Sequence, residues 1–246
     1  MHRLILRSIA IVLGILVCVP SHYLSKLVGR RSRWPQRFLW WVGYSAGMRP
    51  RIVGTPLPSN VLFAGNHLSW LDIMVLAGAT GTAFVSKAEV GRAPVIGWLA
   101  TLNNTVYVER RDRGSAGSQA EALRAALATG QPVALFPEGG TDGGAETLPF
   151  RASLFSSLFP PLPGINVQPV AIDYGGAAAD IAWVGDEPAL ANVKRVLSRR
   201  GTTPVTLHFL PPMNPAAFAD RKDIANAAYR QVVAALEPSA RAADRL

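Results

Sequence analysis

The chain has 246 residues with one cysteine and four histidines, and apolar types make up 49% of it. A formal charge of +9 and an isoelectric point of about 10.4 call for anionic partners: nucleic acid, an anionic bilayer or a phosphorylated substrate. A lone cysteine excludes an internal disulfide, no Cys/His cluster suggests zinc, and no internal repeat points to a solenoid. The length suits one α/β domain with a sizeable core, with or without a small appendage.

The first element is the run "LILRSIAIVLGILVCVP", residues 4–20, apolar apart from Arg7 and Ser8. As a helix it would be roughly 25 Å long at ~1.5 Å per residue, a little short for a ~30 Å hydrocarbon core. A cleaved signal peptide and a buried core helix compete with a retained membrane helix. No Ala-x-Ala site follows, which speaks against cleavage. Spanning and re-entrant placements both fit the run. Six arginines then fall at Arg30, Arg31, Arg33, Arg37, Arg49 and Arg51, interleaved with Trp34, Phe38, Trp40, Trp41 and Tyr44. Arginine with aromatics suits nucleic acid as well as a lipid headgroup layer. The apolar run ahead of them decides for an anionic membrane surface and against nucleic acid. An amphipathic interfacial helix is expected over residues 35–48. The division is therefore residues 1–48 as membrane-anchoring helices and 49–246 as an α/β domain. The arginine excess places that domain on the cytoplasmic side of the inner (cell) membrane.

From Arg51 onward, short β-like runs alternate with helical ones. Strands are expected at "RIVG" (51–54), "VLFAG" (61–65), "TAFVSK" (82–87), "TVYVER" (105–110), "VALFP" (133–137), "NVQPVAIDY" (166–174) and "VTLHFL" (205–210). Helices are expected over 70–78, 94–102, 115–129, 187–199 and 222–236. The alternation predicts a mostly parallel mixed sheet flanked by helices. In such sheets, functional loops leave the carboxyl ends of strands. Three polar clusters lie there: "NHLSWLD", "VERRDR" and "FPEGGTDGG".

In the first, His67 and Asp72 are candidates for a dyad. On one continuous helix, five residues advance ~500° and leave the pair about 140° apart. They meet only if His67 sits in the loop before a helix and Asp72 in its first turn. "SWLD" reads as a capping box with Ser69 as N-cap, so a helix cap and a backbone-bonded loop histidine are the competing roles. As a dyad, neutral His67 would accept a proton and Asp72 would fix its tautomer. No nucleophile motif such as "GxSxG" accompanies them, so the activated hydroxyl would belong to the substrate. In "VERRDR", Arg110 and Arg111 point to opposite faces of a strand, so at most one joins a given cleft. An arginine there could grip a phosphate with two parallel hydrogen bonds, against the plainer role of a solvated strand end. In "FPEGG", the choice lies between a tight turn with an exposed glutamate and a backbone nest with one ligand-binding carboxylate.

In this order and spacing the clusters resemble the 1-acyl-sn-glycerol-3-phosphate acyltransferase (lysophosphatidic acid acyltransferase) family. His67 and Asp72 match its His-x4-Asp motif, Arg110 in "VYVER" its second motif, Phe136 to Gly139 its Phe-Pro-Glu-Gly motif, and Pro169 in "VQPVAI" its fourth. "SKAE" (86–89) and "PVIGWLA" (94–100) are similar to the stretch between the first two motifs. The likeness covers about residues 50–175. It implies transfer of a fatty acyl group from acyl-CoA or acyl carrier protein to the free hydroxyl of a lysophospholipid, lysophosphatidic acid, giving phosphatidic acid. By the same likeness His67 is the general base, Asp72 supports it, Arg110 binds the acceptor phosphate, and Glu138 and Gly139 hold the acceptor's polar backbone. No metal or cofactor is implied. The third motif departs from many members: no arginine follows "FPEGG" directly, and the next one is Arg151. "LPFRASLF" resembles a subset that includes lyso-ornithine lipid acyltransferases, which makes lyso-ornithine lipid the alternative acceptor. A thioester hydrolase and a non-catalytic lipid carrier are the remaining rivals.

Overall fold

The computed structural model describes residues 2–108, 115–141 and 147–243. In chain order the elements are α1 (His2–Leu27), α2 (Trp34–Ser45), β1 (Met48–Val53), β2 (Val61–Gly65), α3 (Trp70–Thr80), β3 (Ala83–Lys87), α4 (Ala88–Arg92), α5 (Pro94–Leu102), β4 (Val106–Val108), α6 (Ser115–Ala128), β5 (Val133–Leu135), β6 (Asn166–Asp173), α7 (Ala178–Ile181), α8 (Ala189–Ser198), β7 (Thr203–Phe209) and α9 (Arg221–Ala243). The strands form one sheet in the order β1-β7-β6-β2-β5-β3-β4. β6, β2, β5, β3 and β4 are mutually parallel; β7 pairs antiparallel with β6 and parallel with β1. All five parallel strands therefore open their carboxyl ends on the same edge.

Strand periodicity explains the layers. Every residue of β2 is buried. Val61 and Phe63 point into a cluster with Leu71, Val75 and Leu76 of α3, while Leu62 and Ala64 point into another with Leu127 of α6 and Ile224 of α9. A two-residue period on a sheet covered on both faces gives this split. Phe63 is fully buried, and its truncation to alanine should cost about 3–5 kcal/mol.

The amino-terminal helices differ from expectation in extent. α1 runs 26 residues, about 39 Å, rather than ending at Pro20. The hydroxyls of Ser21 and Ser25 donate to the carbonyls of Val17 and Ser21, so these polar residues sit in the helix without loose hydroxyls. The connection to α2 and its first residue close the far end: His22 Nδ1 meets Ser32 Oγ at 2.9 Å, and Trp34 Nε1 donates to Ser25 Oγ at 3.1 Å. α2 stops at Ser45, and β1 already begins at Met48, which is buried. The two helices cross closely at Gly14, where an added Cβ would come within 2.8 Å of the Trp41 ring. Trp41 Nε1 donates to the Ala10 carbonyl there at 2.7 Å.

α1 is docked on the α/β layer. The Arg7 guanidinium donates to the carbonyls of Val196, Leu197 and Gly201, at and just past the carboxyl end of α8. The Val196 and Leu197 carbonyls lie in the last turn of α8, at the negative end of the helix dipole, so a cation is favoured there. The opposite face is left apolar and open: Ile5, Leu6, Ile9, Val12 and Leu16 are each 51–63% exposed. By length and composition α1 is apolar enough to cross a membrane.

Candidate active site

β2 ends at Gly65 and the chain turns through Asn66 to Ser69 before α3 begins. Asn66 is buried and acts as one more rung of the sheet. Its side-chain N–H donates to the Ile172 carbonyl at 3.0 Å, and its side-chain oxygen accepts from the Ile172 N–H at 2.8 Å. The turn is thereby fastened to β6. Ser69 is the N-cap of α3, and both halves of the capping box form: its side chain accepts from the first turn, and Asp72 accepts from the Ser69 N–H at 2.8 Å.

This turn brings His67 and Asp72 together. His67 Nδ1 lies 2.8 Å from Asp72 Oδ2. Asp72 is fully buried, while the His67 side chain is 18% exposed. Asp72 Oδ2 also accepts from the Leu68 N–H at 2.7 Å, and Oδ1 accepts from the Tyr174 hydroxyl at 2.7 Å. Four donors surround one buried carboxylate, which is the compensation a buried anion needs. With Nδ1–H donating to Asp72, the lone pair of the neutral ring resides on Nε2. Among the described residues no hydrogen bond occupies Nε2. The ring lies flat on Phe136, with centroids 4.1 Å apart and planes 5° from parallel.

Phe136 begins the "FPEGG" turn after β5, the strand beside β2. Glu138 is only 3% exposed, and its Oε1 accepts the His67 backbone N–H at 3.1 Å. Its carboxylate is turned inward on the histidine loop. Gly139 takes φ +84°, in the left-handed region, and its N–H closes the turn on the Phe136 carbonyl at 3.2 Å. A Cβ on Gly139 would fall within 2.7 Å of the Arg151 guanidinium carbon. Arg151 therefore lies directly on this turn, and its own N–H donates to the Pro137 carbonyl at 2.9 Å. Among the described residues no carboxylate pairs with the Arg151 guanidinium. Pro169 stands within β6 opposite Ala64, and its carbonyl accepts from Leu210 beyond β7. Arg110 and Arg111 lie outside the described residues.

Four members of this site receive no role from the sequence. Asn66 and Phe136 stand inside quoted motifs, but only the fold shows one as a sheet rung and the other as the floor under the imidazole. Tyr174 is 102 residues from Asp72, and Arg151 is twelve beyond Gly139. A second apolar-and-basic feature lies away from the dyad. A groove of about 640 Å³ opens beside α2 and α3, lined by Arg33, Arg37, Trp40, Trp41 and Tyr44 among others. These positions recur three and four apart, so they form one stripe of α2. Among the described residues, no group of three or more His, Cys, Asp or Glu side chains is placed to hold a metal ion.

Residues 49–173 match the protein-family model described as Acyltransferase. The chain is 34% identical over 252 residues to the lyso-ornithine lipid O-acyltransferase of Brucella abortus (strain 2308), with 96% of this chain and 94% of the relative covered. It is 37% identical over 125 residues to the 1-acyl-sn-glycerol-3-phosphate acyltransferase of Neisseria gonorrhoeae, covering 50% of this chain and 48% of that one. The crystal structure of the 1-acyl-sn-glycerophosphate (LPA) acyltransferase PlsC from Thermotoga maritima is similar with a TM-score of 0.65 at 20% identity, over 96% of this chain and 94% of that one. At that identity the likeness is one of fold.

Proposed function

Because the chain belongs to the acyltransferase family, we propose that it moves a fatty acyl group from a thioester to the free hydroxyl of a lysolipid. The observation that carries the chemistry is the 2.8 Å contact between His67 Nδ1 and Asp72 Oδ2. It leaves Nε2 as the basic atom at the open edge of the sheet. In the proposed step Nε2 takes the proton of the lysolipid hydroxyl as its oxygen attacks the thioester carbonyl. The tetrahedral adduct then collapses, the carbon–sulfur bond breaks, and the imidazolium returns the proton to the leaving sulfur. The products are an ester and a free thiol. Asp72 holds the ring in the productive tautomer and offsets the imidazolium charge. Glu138 holds the backbone of His67 in place. The thioester belongs to coenzyme A or to acyl carrier protein.

We take lyso-ornithine lipid as the acceptor. Similarity to the Brucella enzyme runs through nearly the whole of both chains, whereas the match to the Neisseria enzyme spans about half of each. An ornithine headgroup offers a carboxylate where lysophosphatidic acid offers a phosphate. Arg151, paired with no carboxylate among the described residues and seated on the Gly139 turn, supplies a planar guanidinium for that carboxylate. Arg110 is assigned to the same anionic end of the acceptor. Lysophosphatidic acid is the second reading, favoured by the 37% identity to the Neisseria enzyme over its 125 matched residues.

The exposed apolar face of α1 and the Arg–Trp stripe of α2 support a further assignment. The helices within residues 1–47 hold the enzyme to an anionic bilayer, the inner membrane, with the α/β domain, which begins at β1 with Met48, on its cytoplasmic face. Val95, Ile96 and Trp98 of α5, 41–63% exposed, extend the apolar surface. The deciding assay presents purified enzyme and labelled acyl donors with both lysolipids in mixed micelles and resolves products by mass. An acylated ornithine lipid is the expected product. Phosphatidic acid alone would move the acceptor to the second reading. Free fatty acid released equally with and without lysolipid would replace transfer by hydrolysis.

A further inference from the structure

Asp72 makes one hydrogen bond that neither helix capping nor the imidazole contact requires. Oδ2 alone accepts from Leu68 N–H, Ser69 N–H and His67 Nδ1. The other oxygen, Oδ1, accepts from the hydroxyl of Tyr174 at 2.7 Å. Tyr174 follows the last residue of β6, the strand beside β2, and is 3% exposed. Burial first, then the Asp72 charge and the bond to it, hold the phenol well above its ordinary pKa. Tyr174 is thus a permanent donor, unable to compete for the proton that His67 handles.

We propose that Tyr174 is a positioning residue that sets the basicity of the His67–Asp72 pair. Its bond fixes the rotation of the carboxylate so that Oδ2 faces the imidazole. The same bond draws negative charge toward Oδ1, which weakens the grip of Asp72 on the imidazolium. The inference rests on the reading of His67 as general base. Among the described residues, the charged groups nearest this loop are Glu138, on the His67 backbone N–H from the β5 side, and Arg151, on the Gly139 turn. Neither contacts the phenol hydroxyl. Phe136, stacked on the imidazole, is an uncharged ring.

Tyr174→Phe keeps the ring in the core and removes only the hydroxyl. The test is the pH profile of kcat/KM for the lysolipid acceptor, whose acidic limb reports the essential base of the free enzyme. In Tyr174→Phe the acidic limb moves to higher pH by about half a unit to one unit, the rate at high pH falls less than about tenfold, and acceptor KM is kept. A uniform loss at every pH with the limb unmoved overturns the proposal and leaves Tyr174 a packing residue. Site-specific replacement of Tyr174 by 3-fluorotyrosine, a stronger donor of the same size, gives the opposite sign: the limb moves to lower pH. This second variant decides the matter where Tyr174→Phe does not fold, since a limb that stays put there also overturns the idea. Full activity in His67→Ala would instead remove the general-base reading beneath it, an outcome separate from an unmoved limb.

Discussion

Asp72 caps a helix and pairs with an imidazole through a single oxygen, so replacing it with alanine would confuse two roles. Asp72→Asn separates them. Asparagine still caps a helix but brings no charge to offset an imidazolium. Turnover in Asp72→Asn is expected to fall at least ~10²-fold, the range for loss of general-base function, with only a small drop in melting temperature. His67→Ala should do the same, because a partly exposed loop histidine contributes little to the core. Steady-state rates and thermal melts of the same preparations check both. Wild-type rates in Asp72→Asn would reduce that residue to a cap.

The arginines give a second residue-level expectation. Loss of a charge-assisted hydrogen bond of ~1–3 kcal/mol corresponds to roughly 5- to 150-fold in kcat/KM. Arg151→Gln and Arg110→Lys should each show a loss of this size through the acceptor KM and spare the KM of the acyl donor. An unchanged acceptor KM in both would move the anionic end of the acceptor elsewhere. Gly139→Ala tests the turn beneath Arg151. Alanine at φ +84° is strained by roughly 1–2 kcal/mol, and its methyl would displace the guanidinium. Both stability and acceptor KM should therefore suffer, whereas Gly140→Ala, with open space around it, should be mild.

At the scale of elements, α3 is the piece that must not shift, since its first turn carries Asp72. It is braced from α8. Trp70 Nε1 donates to Asn192 Oδ1 at 3.1 Å, Asn192 Nδ2 donates to Glu187, and Arg195 Nη2 meets Glu187 at 2.8 Å. The Arg195 hydrogen bond, then that of Asn192, holds the Glu187 carboxyl down from about 4.5 to about 2. A carboxyl lowered on folding contributes stability that is complete above its unfolded pKa. That contribution drains away as pH falls from about 4.5 to about 2. Glu187→Gln should accordingly melt lower than wild type at neutral pH, with the gap closing at pH 2–3. A gap that persists unchanged in acid would assign the effect to packing. The other element of consequence is α2. Arg33 and Arg37 share its groove with tryptophans, and replacing both with glutamine should weaken flotation with anionic vesicles more than the equal charge change at Arg30 and Arg31 does.

For the whole molecule, the amino-terminal helices are both the proposed anchor and a structural flank. Deleting residues 1–47 should release much of the enzyme from membranes. It should also lower the melting temperature, because Leu4 and Ile11 pack on the main core and Arg7 caps α8. Fractionation in high salt and thermal melts of the truncated chain check the two effects. A truncated enzyme that stays wholly with the membrane would place the anchor on the α/β domain.

The same contrast separates what was legible in the residue order from what was not. Seven strand segments, the capping box at Ser69 and Asp72, the turn at Gly139 and the apolar helix were readable. Each depends on alternation, helical spacing or turn chemistry within about ten residues, and such interactions are encoded where they act. The loop placement of His67 was readable as the condition for its meeting Asp72, with Ser69 as the N-cap that allows it. The extent of α1 was not readable, because its end past Pro20 is held by Ser32, in the connection to α2, and Trp34, the first residue of α2. Strand order lay equally beyond reach. Only the arrangement β6-β2-β5 sets Tyr174, His67 and Glu138 on three neighbouring strand ends, and only the return of the chain after Phe150 lays Arg151 on Gly139. Local pattern determined which residues could do chemistry. Long-range burial, which rewards any apolar face alike and so leaves little directional mark in sequence, decided which of them meet.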